Sequence, residues 1–169
     1  MLELHAVPTK VIGCFGRPEA LDGLAKGAEG VRRSPLLSVR VAPDELLLLS
    51  ESPHVAELEA ELRALDGGSL VLDLSCGFAI WALRGDGRFE AFIRLSALSL
   101  PEPPAVIQGL VAHVPAKVIV GSDALLLIVS SVVSHHLRER VLLACADLAP
   151  SEGGAFRPTG VLIEEGGRV

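Results

Sequence analysis

The side chains with chemical potential in this sequence are scattered. Asp73 ends an alternating apolar run and precedes Ser75 and Cys76, so its carboxylate can bond a ligand or close the following turn, the second being the commoner use. His135 and His136 are adjacent, and on a helix neighbours point about 100° apart, so they cannot readily share one metal ion. No metal site is expected. Arg17, Arg32 and Arg33 could clamp an anion but read more simply as solvated loop arginines. Trp81 stands at strand spacing, as a core residue does more often than a ligand platform. Gly13–Cys14–Phe15–Gly16 lacks the three-glycine spacing of a phosphate-binding loop. No serine sits in a nucleophile elbow, so no catalytic triad can be assigned.

The elements that would position these groups show an internal repeat. The offset is 118 − 39 = 79: Val39 and Val41 return as Val118 and Val120, Asp44 as Asp123, Leu46–Leu48 as Leu125–Leu127, Ser52 as Ser131 and Leu58 as Leu137. Leu37, Val39 and Val41 alternate with Ser38 and Arg40 as in a half-buried strand. A turn follows at Ala42–Glu45, then the apolar run Leu46–Leu49. Ser52 is expected to cap a helix with Pro53 at its first position, and Val55, Leu58, Leu62 and Leu65 fall at helical spacing. The second copy is expected as a strand at Lys117–Val120, a turn at Gly121–Asp123, a strand at Ala124–Ser130, and a helix from Ser134 with Leu137, Val141, Ala144 and Leu148 inward. Around these lie a strand in Thr9–Phe15, a short helix at Ala20–Ala25 and a loop at Gly27–Ser34. Strands are expected at Leu70–Leu74 and Ala79–Leu83, and a helix over Phe89–Leu95. One extended stretch is expected at Val106–Val114, a loop at Pro150–Gly154 and a last strand at Val161–Ile163.

Both halves therefore read β-α-β-β-α-β, the ferredoxin-like order. The expected fold is α+β: two duplicated ferredoxin-like halves, about 1–75 and 76–165, forming one domain over 1–169, with antiparallel sheets and the helices outside. Element order alone gives no strand pairing, so strands can be exchanged between the halves.

Composition narrows the function. With 169 residues and a net charge of −6, no basic face and no tyrosine, the chain is a poor candidate for binding nucleic acid. The longest apolar run, Ala124–Val129, is far shorter than the roughly 20 residues of a membrane span. Cys14, Cys76 and Cys145 are widely spaced and suit a reducing, cytoplasmic setting; no signal peptide is evident. Half the residues are hydrophobic, and mean hydropathy is +0.48. Such a balance favours a buried partner surface or self-association, beyond a core alone.

Val41–Ala42–Pro43–Asp44–Glu45–Leu46–Leu47–Leu48, then Val71–Leu72–Asp73–Leu74–Ser75, then Ala82–Leu83–Arg84–Gly85 before a helix, form an ordered series. It resembles the gamma subunit of heterotetrameric sarcosine oxidase, a family that goes with the folate-binding domain of the glycine-cleavage aminomethyltransferase. The resemblance covers roughly Leu36–Asp147. It implies a duplicated folate-binding-domain-like α+β fold and a non-catalytic accessory chain beside larger oxidase subunits, which would carry the flavin, nicotinamide and folate chemistry. The aminomethyltransferases place an aspartate in a segment corresponding to Gly109–Val120. Here that segment has no Asp or Glu, and its titratable groups are His113 and Lys117. The strand end resembling Val129–Ser130–Ser131 carries Ser where the family has Asn. No cofactor is expected in this chain. The alternative is a stand-alone protein binding a tetrahydrofolate-like ligand, or a one-carbon enzyme, with a pocket between the halves lined by His113, Ser130 and Arg84 and with Asp73 as the one mid-chain acid to offer the pterin.

Overall fold

The computed structural model describes residues 1–30, 36–52 and 54–156. Arg32, Arg33, Pro53 and the strand expected at 161–163 lie outside the described residues. In chain order the elements are β1 (Glu3–Ala6), β2 (Lys10–Phe15), α1 (Pro18–Gly30), β3 (Leu36–Ala42), β4 (Glu45–Ser50), α2 (Val55–Leu65) and β5 (Leu70–Asp73). There follow β6 (Phe78–Arg84), α3 (Arg88–Leu95), β7 (Ala105–Val111), β8 (Val114–Val120), β9 (Ala124–Ser130), α4 (Ser134–Ala144) and β10 (Ser151–Gly153). They form two compact units: Thr9–Cys76, and Met1–Pro8 together with Gly77–Phe156.

The unit Thr9–Cys76 is a ferredoxin-like βαββαβ module. Its sheet runs β3-β4-β2-β5, all antiparallel, so the first and third strands lie at the centre. One face packs Ile12, Cys14, Leu46, Leu48 and Val71 against Leu21, Leu24 and Ala28 of α1 and Val55, Leu58 and Leu62 of α2. The apolar stripe of α1 continues through Ala28, which is why the helix runs to Gly30 where a loop from Gly27 was expected. At Gly27 a Cβ would stand 2.7 Å from Leu65 Cδ1, so glycine lets α1 approach α2. Helix α2 starts at Val55 with His54 as its N-cap and no side-chain cap bond. Ser52 does not cap it: its Oγ accepts the His54 N–H at 3.1 Å, closing a local turn ahead of the helix.

The other unit keeps the same plan and adds two strands. Its sheet runs β10-β1-β6-β9-β8-β7. Strands β6, β8, β9 and β10 correspond to β2, β3, β4 and β5, but β1 from the N-terminus sits between β6 and β10. It pairs antiparallel with β6 and parallel with β10, the one parallel pair described. Strand β10 occupies residues expected as a loop. It is an exposed three-residue edge held by Arg138, which bonds both carboxylate oxygens of Glu152, and by the Ser151 N–H donating to Leu2 O. Strand β7 extends the opposite edge as a hairpin with β8, broken by a turn at Ala112–His113 where one extended stretch was expected. The helices lie on one face, over Leu125, Leu127, Val129, Val118 and Val120. In α4, Leu137 and Val141 are buried as expected, but Cys145 takes the inward place assigned to Ala144, which is exposed.

The repeat holds at both ends of the second helix: 134 − 55 = 79 and 144 − 65 = 79. It fails in one strand. Val118 lies opposite Leu127 and faces the helices, whereas Val39 lies opposite Leu47, on the face turned away from them. A register shift between Arg40 and Ala42 is the cause, because one extra residue moves every side chain beyond it to the other face. Arg40 therefore takes the helix-facing position opposite Leu46. It donates to Pro18 O at 3.2 Å and to Pro43 O at 3.1 Å, and pairs with Asp22 of α1.

Candidate functional site

The site candidate is a groove in the Gly77–Phe156 unit, of about 690 Å³. Its walls are the C-terminal turns of α3 and α4, the segment after α3, and the β7–β8 turn. Helix α3 forms because Ala91, Phe92 and Leu95 share a buried stripe, while Glu90 and Arg94 pair at i,i+4 on the wet side (2.9 Å). The chain leaves it at Ser96, whose Oγ donates to Leu110 O at 2.8 Å and accepts the Leu98 N–H at 3.1 Å. Leu98 then folds over Gly109, where a Cβ would come within 2.7 Å of it. The hairpin turn is tight and left-handed, with φ of 52° at Ala112 and 67° at His113. Such a two-residue loop favours Asn-Gly, so Ala-His holds it under local strain. The Ala112 N–H donates to Leu95 O at 2.7 Å and ties the turn to α3.

The groove is lined by apolar side chains and two arginines. Ile93 and Leu110 are 66% and 57% exposed, and Leu98 lies between their elements. Arg94, Ser96, Arg140 and His113 supply the polar lining. Arg94 is neutralised: Asp147 takes both its terminal nitrogens and Glu90 takes Nε, which raises its pKa and holds the Asp147 carboxyl below the usual carboxylate range. Among the described residues, Arg140 and His113 have no hydrogen-bond or ion-pair partner.

The four residues singled out from the sequence do not converge. His113 lines this groove. Ser130 lines a second cleft of about 540 Å³ on the sheet, with Phe78, Gln108, Lys117 and Ile128. Arg84 lines neither. It pairs with Ala124 at one end of the β6–β9 ladder, while Ser130 pairs with Phe78 at the other. Six residues of strand separate them, or about 20 Å, so Arg84 and Ser130 do not share one pocket. Arg84 instead lies over the Phe156 ring (4.9 Å) and 3.9 Å from Glu3. Asp73 is exposed, and its Oδ1 accepts both the Ser75 N–H (2.9 Å) and the Ser75 hydroxyl (2.5 Å), bonds that lower its pKa. That carboxylate serves the turn after β5.

The other candidates are also placed. Trp81 packs against the core and donates Nε1–H to Ser134 Oγ at 2.9 Å. A Cβ at Gly13 would meet Leu74 at 2.5 Å, so this glycine answers to packing in β2. Arg17 is exposed at the start of α1, within electrostatic reach of Asp66. His135 faces the i,i+4 carboxylate of Glu139 at 3.0 Å, and His136 is exposed. Burial pushes the Cys14 thiol up to about 11 and raises Cys145, which suits both to packing. Sequence reasoning also missed Arg140. Its signal, a cation on α4 with no carboxylate of its own, emerges only when the groove is assembled.

No family model matches the chain, and no curated protein matches it by sequence. Solved structures do match it. A chain of heterotetrameric sarcosine oxidase from Corynebacterium sp. U-96, in complex with pyrrole 2-carboxylate, superposes with a TM-score of 0.74 at 18% identity, over 90% of this chain and 87% of that one. Aminomethyltransferase T of the glycine cleavage system from Bartonella henselae matches with a TM-score of 0.63 at 16% identity, over 89% of this chain but 47% of the enzyme. The ligand-free regulatory subunit of aspartate kinase from Thermus thermophilus gives 0.51 at 12% identity, over 85% and 97%. At these identities the likeness is one of fold. The chain has the duplicated α+β architecture found in the folate-binding-domain-like proteins, and one of its structural neighbours belongs to a heterotetramer. No described helix is long and apolar enough to cross a membrane.

Proposed function

We propose that this chain is an accessory, non-catalytic subunit of an oxidase-like complex, comparable to the gamma subunit of sarcosine oxidase, and that it positions larger flavoprotein chains acting in one-carbon or sarcosine metabolism. The observation that carries this reading is the near-complete mutual coverage with one chain of a heterotetrameric sarcosine oxidase. The match spans 90% of this chain and 87% of that one, whereas it spans only 47% of the aminomethyltransferase. The use of the polar groups supports it. Asp73 is committed to a turn, two thiols are shifted upward by burial, and Gly109–Val120 has no carboxylate. The test is to purify the tagged chain from its own organism and, separately, alone. The reading expects larger flavin-bearing chains in the first preparation and no flavin absorbance in the second; flavin in the lone chain overturns it.

A second reading, a stand-alone protein for a tetrahydrofolate-like ligand, draws on the 540 Å³ cleft, which is of small-ligand size. Its lining offers Gln108, Lys117 and Ser130 but no carboxylate for the donors of a pterin, which need partners when buried. Calorimetric titration of the lone chain with tetrahydrofolate separates the two readings, since the accessory role requires no heat of binding.

A further inference from the structure

We propose that the groove between α3, α4 and the β7–β8 turn is the seat of a larger partner chain, and that the segment docking there is acidic with an apolar anchor. This deepens the accessory-subunit reading and rests on it.

Three observations point the same way. First, the lining carries exposed apolar side chains: Ile93 and Leu110, 66% and 57% exposed, come from different elements into the same groove beside Leu98. Second, the rim charge is of one sign. The groove lining contains no Asp or Glu; the nearby acids Glu90 and Asp147 are both spent on Arg94. Arg140 and His113 have no partner among the described residues, and exposed His136 stands one turn before Arg140. In a chain with 21 acidic against 15 basic residues, an unpaired arginine at an apolar groove whose lining holds no carboxylate favours a carboxylate-bearing segment. Third, the turn that presents His113 is strained, with two successive non-glycine residues at positive φ. Backbone strain of this kind gathers at ligand clamps and binding sites. Charge, apolar lining and strain together fit an occupant with an apolar side chain beside Asp or Glu, with Arg140 donating to the carboxylate and the apolar residue packing on Leu110.

The test uses the full chain, tagged and expressed in its own organism, as wild type and as Leu110→Asp, Arg140→Glu and Val132→Asp. Val132 is 89% exposed on the turn before α4 and does not line the groove, so it is the control. Thermal melting shows that each variant folds. A tenfold or greater loss of the co-purifying larger chain is expected for Leu110→Asp and Arg140→Glu, with none for Val132→Asp. In parallel, p-benzoylphenylalanine at position 110 is expected to crosslink to an acidic, apolar segment of that chain, which keeps the test decisive if a charged variant unfolds. Wild-type recovery by both groove variants, equal loss by the control, or an adduct joining two copies of this chain or mapping to a basic segment overturns the proposal. Failure of the wild type to recover any larger chain overturns the accessory-subunit reading itself, an outcome distinct from these.

Discussion

Replacing His113 by glycine should stabilise the protein. The position has φ of 67°, follows Ala112 at 52°, and is exposed with no partner among the described residues, so its backbone term is nearly isolated. An L-residue in the left-handed region costs about 1–2 kcal/mol relative to glycine. Against this, glycine adds about 0.4–1 kcal/mol of unfolded-chain entropy. Midpoint against midpoint, the difference is a gain of about 0.8 kcal/mol. His113→Val should move the other way by at least about 1 kcal/mol, because a β-branched residue is a genuine outlier at positive φ. The assay is urea unfolding followed by the fluorescence of Trp81, the one tryptophan, which lies in the same unit as the turn. With an m-value of about 2 kcal/mol/M, the glycine variant should raise the midpoint by about 0.4 M. If both variants move in the same direction, or if glycine lowers the midpoint, the turn is not strained and one support of the docking groove is gone.

Further outcomes follow from other sites. Gly85→Ala should destabilise by about 2 kcal/mol or more, since Gly85 has φ of 78° and a Cβ there would stand 2.5 Å from Met1 O; calorimetric melting checks it. Under native conditions a thiol reagent should modify one cysteine, Cys76, with Cys14 and Cys145 reacting only on unfolding; reaction of all three in the folded protein would contradict their burial. Asp66, Asp73 and Asp147 all have lowered pKa values, from the Ser69, Ser75 and Arg94 bonds respectively, so the stability they add is present above the unfolded-state pKa and is lost as pH falls through the folded-state values, below about pH 4. Asp147→Asn should flatten part of that acid limb in a pH series of melts.

What the sequence revealed was local. Turn, strand and helix of the repeat are built from neighbouring residues, so the 79-residue offset holds at both ends of α2 and α4, although Leu148, expected on the helix, lies beyond its end at Ala144. The places where it failed depend on partners distant in the chain. Nothing in Glu3–Ala6 announces that it will lie between β6 and β10, because pairing is set by sheet assembly. The bulge near Val41 leaves an unbroken apolar alternation, and only the ladder shows that Val39 and Val118 face opposite ways. Ala112–His113 carries neither Gly nor Asn, so its turn was invisible to residue preference. The groove shares that origin: His113 stands out in the sequence by its titratable ring, but Arg140, Ile93 and Leu110 join it only through tertiary packing. The expected grouping of Arg84 with Ser130 fails because they sit at opposite ends of one ladder.

The central claim, that this chain supports chemistry carried by others, is tested most directly by sarcosine-dependent hydrogen peroxide formation. It should be measured on the chain purified alone and on whatever complex the tagged chain recovers from its own organism. The account predicts turnover and a flavin spectrum in the complex and neither in the lone chain. Turnover by the lone chain, or a tagged chain that emerges from its own cells with no larger chain bound, would contradict it.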